Sequence, residues 1–328
     1  MQRTLSCKLL RVNCVDKKSL VFSLSNKSGN ILKNILIQEN IKLAPRTYYR
    51  IGGVARFFSE PCCNEDLVVL GRFIQNEKLP FFILGAGSNV LFLDEGFSGL
   101  VIHTSKLNPF VVQKDAELNC SASILVIQVL RHCMQQGLSG FEFLVGVPGN
   151  MGGVLYMNAG TKLGEIKDVV KEITVFNLMS GVQKVFTRDK IQYTYRTQHF
   201  LEEGDLILSA KLEGAHSDPK KIQKEIQILL ENRKKTQPID KPSCGSVFKN
   251  PDPKKGVFAW KLIESAGLRG HKIGNAQISP LHTNFIVNLG GAKAVDVLSL
   301  IELAKEQVYE KFKIVLEEEV KTIKLDPS

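Results

Sequence analysis

The order of strand and helix signals predicts an α+β chain built of stacked small domains, and three observations carry that expectation. Apolar β-type runs and amphipathic helical runs are intermixed, without the strict strand–helix repeat of a parallel α/β sheet. The chain has 328 residues, too many for one ordinary core and enough for two or three compact domains. Its 44% hydrophobic and 23% charged content sits near the globular average, which excludes wholesale disorder and collagen-like structure.

Residues 1–40 mix basic and Asn/Ser-rich stretches and read as a variable N-terminal extension. Asn64 is placed to cap a helix reaching about Asn76, with apolar residues at Leu67, Val68, Leu70, Phe73 and Ile74. PFFILGAGSNVLF (80–92) reads as a short buried strand, a Gly-rich turn and a second strand. Segments 99–103, 110–113 and 117–122 add β signals. Residues 123–136 are apolar around most of a helical circumference and stop at Gly137, the pattern of a buried helix. Strands are expected next at 172–177, 183–188 and 205–214.

A composition shift near residue 215 marks the main boundary. Beyond it, 217–236 is an amphipathic helix with Pro219 near its first turn and Lys/Arg in its last, matching the helix dipole. A helix at 258–267, strands at 276–279 and 284–288, a helix at 292–312 and a strand at about 313–324 complete the chain.

The formal net charge of +10 favours polyanionic partners such as nucleic acid, an acidic membrane surface or phosphorylated small molecules. The basic residues are dispersed, with no helix-turn-helix, zinc-finger or aromatic RNP pattern, so nucleic acid is not expected. No apolar run of about 18 residues predicts a membrane-spanning helix. The N-terminus lacks a secretory apolar core. Seven scattered cysteines make no CxxC pair, which argues against a zinc ribbon or a thioredoxin-type site, and no metal is expected. Reduced thiols in a cytoplasmic protein are expected.

Two loops carry most of the chemical information. The first is Gly85-Ala86-Gly87-Ser88-Asn89, entered from an apolar strand; the second runs from Gly146 to Gly153 and leads to Asn158-Ala159-Gly160. Glycine admits positive φ and close approach of a ligand, and successive backbone N–H groups make a nest for phosphate oxygens. Neither loop is a GxxxxGK[ST] or a GxGxxG motif. On glycines alone, tight turns between buried strands and a cradle for a dinucleotide pyrophosphate remain equally open.

The full order of motifs along the chain is more specific than either loop. TYYRIGG (47–53), LGAGSN (84–89), GVPGNMGGVLYMNAG (146–160), Tyr195-Arg196, CGSVFKNP (244–251) and LEEEV (316–320) form a series. That series is similar to the UDP-N-acetylenolpyruvoylglucosamine reductase (MurB) family over about residues 42–323. Only 49 residues, 197–245, separate Arg196 from Ser246, which resembles the family form lacking an inserted tyrosine-bearing loop.

The resemblance implies a two-lobed FAD-binding domain of the vanillyl-alcohol-oxidase (PCMH) type at 41–215, with lobes at about 41–105 and 106–215. It implies a C-terminal α/β substrate-binding lobe at 216–312 and a strand, 313–328, returning to the active site. It further implies non-covalent FAD, NADPH as hydride donor and a UDP-sugar substrate, in a monomer without membrane insertion. His132 and Cys133 lie in a helix-like segment rather than a Gly-rich loop, which argues against a covalent flavin tether. The residues that would hold FAD are Tyr49, Arg50 and Gly52, then Gly85, Ala86, Gly87, Ser88 and Asn89. From the second segment come Gly146, Pro148, Gly149, Met151, Gly152, Gly153, Asn158, Ala159 and Gly160.

The family's reaction delivers hydride to C3 of an enolpyruvyl ether and a proton to C2, giving UDP-N-acetylmuramate for peptidoglycan synthesis. Ser246 matches the family's proton donor; a free serine is a poor acid and needs neighbours that lower the cost of losing its proton. Arg196 matches the catalytic arginine, whose planar fork suits a carboxylate on which negative charge develops. Glu319, the acid immediately before Val320, matches the C-terminal catalytic glutamate, with Glu318 standing where the family pattern usually has proline. Tyr195, Lys249, Asn250, His282 and Asn284 match substrate-binding positions of the family. Thr236 occupies a place where the family commonly has lysine, with Lys235 beside it. The rival reading is another FAD-dependent oxidoreductase of the same scaffold acting on an alcohol or sugar.

Overall fold

The computed structural model describes residues 8–16, 19–25 and 31–324, so Cys7 and residues 325–328 lie outside it. The chain falls into two compact units that interleave in sequence. One comprises the described residues up to Ile41 with Ala55–Ala86 and Ser98–Glu225; the other comprises Lys42–Val54, Gly87–Phe97 and the chain from Ile226 onward.

In the first unit a six-stranded sheet runs in the order Lys8–Asp16, Ser19–Ser25, Ile31–Lys42, Val54–Ser59, Phe97–His103, Phe81–Leu84. Three of these strands come from the stretch expected to be a variable extension. Leu20 pairs with Ile37 and Phe22 with Ile35, and all four side chains are buried. Their two-residue spacing puts them on one face of the pleat. The helix Asn64–Glu77 lays Leu67, Leu70, Phe73 and Ile74 into the same core. The Phe73 ring centroid lies 4.6 Å from Phe22 and 5.3 Å from Phe57.

A second, five-stranded sheet is antiparallel throughout, in the order Val182–Thr187, Val170–Asn177, Asp205–Glu213, Glu117–Ser121, Val111–Lys114. The buried helix expected from residue 123 begins at Val126, because Leu125 is extended and bridges Asn150.

In the second unit the helix Ala294–Phe312 packs Val297, Leu300, Ile301, Ala304 and Val308 into a core with Ile263, Ile278 and Ile286. Asp94 accepts from the first-turn amides of Ala294 at 2.9 Å and Val295 at 3.3 Å, a carboxylate at the positive end of the helix. The final strand, expected over 313–324, is confined to Lys321–Ile323, which runs parallel to Val90–Phe92. Before it, Lys313 ends the long helix with φ 57° and the chain continues extended. Among the described residues no helix is long and apolar enough to cross a membrane.

Candidate active site

Gly85, at the start of the first Gly-rich segment, meets the second segment inside the first unit. A Cβ on Gly85 would stand 2.6 Å from Asn150 Oδ1, so only glycine allows the first loop to lie against the second. Asn150 is buried, and its Oδ1 accepts from Gly153 N as the N-cap of the short helix Met151–Tyr156. The loop is further sewn down by Val126 N to Gly149 O, Met151 N to Ile124 O and Gly152 N to Ala122 O. Gly146, Pro148 and Gly153 remain exposed at its rim.

Arg196 belongs to the same unit and sits in the two-residue turn between the strands Tyr193–Thr194 and Thr197–Gln198. Its Nη1 donates to Asn158 O at 3.1 Å and its Nη2 to Gly160 O at 2.7 Å. Glu165 lies 3.8 Å away, and the guanidinium stacks 5.0 Å from the Tyr195 ring centroid. The predicted arginine is therefore fixed to the tail of the second Gly-rich segment. Asn158 itself is wholly buried, bonding Glu165 and Thr194 O through Nδ2 and accepting from Lys167 N.

In the second unit, residues 317–319 pair antiparallel with 247–249. Lys249 N donates to Glu317 O and Glu319 N to Val247 O, both at 2.8 Å, around a bridge between Phe248 and Glu318. Glu319 thus stands opposite Val247, one residue from Ser246. Asn89 of the first Gly-rich loop joins them: its Nδ2 donates to Glu319 O at 3.0 Å, and its carbonyl accepts from Lys321 N. Gly87 holds this loop in place with φ 71°, where a Cβ would meet Arg46 O at 2.5 Å. The buried Asn284 supports the segment after Ser246 by accepting from Phe248 N at 3.0 Å and donating to Phe248 O at 2.8 Å.

Other sequence-predicted residues take different roles. Tyr49 and Met151 are wholly buried, like Asn158, so in this conformation their side chains are closed to a ligand and only backbone is on offer. Burial, then the neighbouring Cys244 thiol, push the Tyr49 hydroxyl pKa well above its ordinary value. Lys249 Nζ is held by Glu317 at 2.5 Å and must leave it to meet a phosphate. Asn250 Oδ1 accepts from Ala259 N at the start of the helix Ala259–Ser265. His282 packs 4.9 Å from the Phe285 ring and 6.1 Å from Trp260. Its Nδ1 is buried without a hydrogen-bond partner among the described residues. Thr236 Oγ1 donates back to Asn232 O on its own helix, and Lys235 is exposed.

A further recess in the second unit shares only Arg50 with the residues expected from the sequence. Arg50, Lys241, Pro242, Asn288, Leu289, Gly290 and Gly291 line this open space of about 820 Å³. Buried Asn288 organises it, donating to Tyr49 O at 2.9 Å and accepting from Gly290 N and Ala292 N. Two cations beside consecutive left-handed glycines suit an anionic ligand. The sequence signal for it is the Gly290-Gly291 pair itself.

A model of an FAD binding domain matches residues 55–185, and one of the UDP-N-acetylenolpyruvoylglucosamine reductase C-terminal domain matches 237–323. The UDP-N-acetylenolpyruvoylglucosamine reductase of Carboxydothermus hydrogenoformans is 40% identical over 286 residues, covering 87% of this chain and 93% of that one. The chain belongs to the MurB family. The Listeria innocua reductase is 39% identical over 290 residues, 88% of this chain and 96% of its own. The crystal structure of MurB from Thermus caldophilus superposes with a TM-score of 0.73 at 32% identity, over 87% of this chain and 98% of that one.

The chain is accordingly an FAD-dependent oxidoreductase, with the FAD-binding domain preceding the C-terminal domain of the family. The exposed backbone of the second loop fits that cofactor: Gly146 and Gly153 present no side chain to hold a planar ring or phosphate off the chain.

Proposed function

We propose that the chain reduces UDP-N-acetylglucosamine enolpyruvate to UDP-N-acetylmuramate with NADPH, as a monomer in the cytoplasm. Cofactor binding is assigned to 41–215, substrate binding to 216–312 and completion of the site to 313–328. The observation that carries this reading is the pairing of 317–319 on 247–249, which sets Glu319 beside Ser246 with Asn89 of a Gly-rich loop bonded to the same segment.

FAD, which the Gly-rich segments 85–89 and 146–153 would hold, would supply the hydride chemistry required at C3 of the enolpyruvyl group. Ser246 Oγ–H then delivers the proton to C2, and its position is kept by the Asn284 bonds on either side of Phe248. Glu319, facing the adjacent Val247, supplies the second ionisable group beside the serine. Arg196, oriented by its bonds to Asn158 O and Gly160 O, pairs with the substrate carboxylate as charge develops on it. Asn250, Asn284 and His282 shape the substrate lobe. Lys249, released from Glu317, meets the substrate diphosphate. The segment between Arg196 and Ser246 is taken up by the strand Asp205–Glu213 and the helix Pro219–Thr236, which supports the form without the tyrosine-loop insertion.

Ser246→Ala tests the assignment. NADPH should still bleach the flavin absorbance, while reoxidation by the enolpyruvyl substrate is lost in stopped-flow mixing; reoxidation at the wild-type rate would remove Ser246 from the mechanism.

A further inference from the structure

Away from these loops, the junction between the strand Val54–Ser59 and the helix Asn64–Glu77 gathers three metal-ligating side chains. The Sγ atoms of Cys62 and Cys63 and a carboxylate oxygen of Asp66 all lie within 4.8 Å of one another. Asp66 is 3% exposed, with Oδ2 2.8 Å from Cys62 N and 3.1 Å from Cys62 Sγ. Cys62 is exposed and Cys63 half-buried. The backbone contact alone would be an ordinary turn cap. A buried carboxylate that also accepts from a thiol, beside a second thiol, is a donor set.

We propose that Cys62, Cys63 and Asp66 form a site for a soft divalent cation, Zn²⁺ or Cd²⁺, with water in the fourth position. Thiolates select such ions over magnesium or calcium. With metal–sulfur bonds near ~2.3 Å and metal–oxygen bonds near ~2.1 Å, tetrahedral ligand atoms stand roughly 3.5–3.8 Å apart. Closing the site therefore needs a movement of about 1 Å in the widest pair. The three residues are set by one helical turn: Cys63 is the N-cap and Asp66 lies in the first turn. The Cys62 carbonyl is held by Asn108 N at 3.2 Å, so the chain on the strand side is anchored as well. The exposed side of Cys62 admits ion and water. On binding, both thiols lose their protons to solvent, so each ion bound releases two protons, and the positive end of the helix favours the resulting anionic ligands.

The test uses the full chain, flavin-loaded, reduced and stripped of metal. Cd²⁺ titration should give a thiolate-to-metal charge-transfer band saturating at one equivalent. Calorimetry with Zn²⁺ in buffers of different ionisation enthalpy should count two protons released. Loss of an outer-sphere partner commonly weakens a metal site ~10–100-fold, so loss of a ligand in Cys62→Ser or Cys63→Ser should weaken it by at least ~100-fold. Unchanged flavin absorbance in these variants shows that they are folded. Cys7→Ser/Cys14→Ser should bind as the wild type does. Undiminished binding in the Cys62→Ser/Cys63→Ser double variant, loss of the band in Cys7→Ser/Cys14→Ser, or no band in the wild type would overturn the site.

Discussion

Arg196 shows how single residues here combine strain with chemistry. Its φ of 58° costs an L residue roughly 1–2 kcal/mol. Bonds to two carbonyls and stacking on Tyr195 offset that cost and orient the guanidinium. His282 is a second residue whose setting differs from its sequence appearance. Burial lowers its pKa; a backbone hydrogen bond works the other way, and Arg269 and Arg233 add to the lowering. The folded state thus keeps His282 neutral, while the unfolded chain takes up a proton below about pH 6.5. The stability it contributes is complete above that pH and is lost as the pH falls towards the lower folded value. His282→Phe should accordingly show a smaller fall in urea midpoint between about pH 7 and 5 than the wild type; parallel pH profiles would contradict this.

The element with most consequence is the extended segment Leu316–Val320. Its pairing uses the Glu317 carbonyl and the Glu319 amide, and the Glu318 amide takes no part among the described hydrogen bonds. This explains why proline is acceptable there in the family pattern: it removes no bond and favours an extended residue before it. This chain instead carries Glu318, whose carboxylate meets Lys305 Nζ at 2.5 Å, tying the segment to the helix Ala294–Phe312. The pair is partly exposed, so Glu318→Pro should cost no more than about 1 kcal/mol and leave turnover within about threefold. Thermal melting and steady-state rates check this, and a collapse of activity would show that the ion pair, not the backbone pairing, holds Glu319. The alternation along KIVLEEEVKTIK was legible in the sequence. The change of partner at Val320, from 247–249 to Val90–Phe92, was not.

At the level of the whole molecule, the net charge of +10 suits the proposed function, whose cofactor, hydride donor and UDP-sugar substrate would all carry phosphates. Cys133 is 1% exposed in the interior of the helix Val126–Gln136, and burial pushes its thiol pKa up to about 12. A thiol so buried and so weakly acidic is a poor nucleophile for flavin attachment. Purified protein should therefore show a flavin spectrum, and acid precipitation should release the yellow colour to the supernatant. Colour retained in the pellet would point to a covalent tether.

Local patterns sufficed for the helix at 64–77, the antiparallel strands at 170–213 and the side-chain-free loops, because helical period, strand alternation and missing Cβ atoms are written within about fifteen residues. The ordered motifs likewise pointed to the chemistry, since each requires a residue type at a place in the chain. Folding alone settled that Lys8–Asp16, Ser19–Ser25 and Ile31–Lys42 are strands of one sheet, that Tyr49 and Asn158 turn inward, and that Glu319 lies against Val247 and Asn89. Those outcomes depend on hydrogen bonds and apolar faces supplied by segments distant in sequence, and no local periodicity names the partner that will satisfy them.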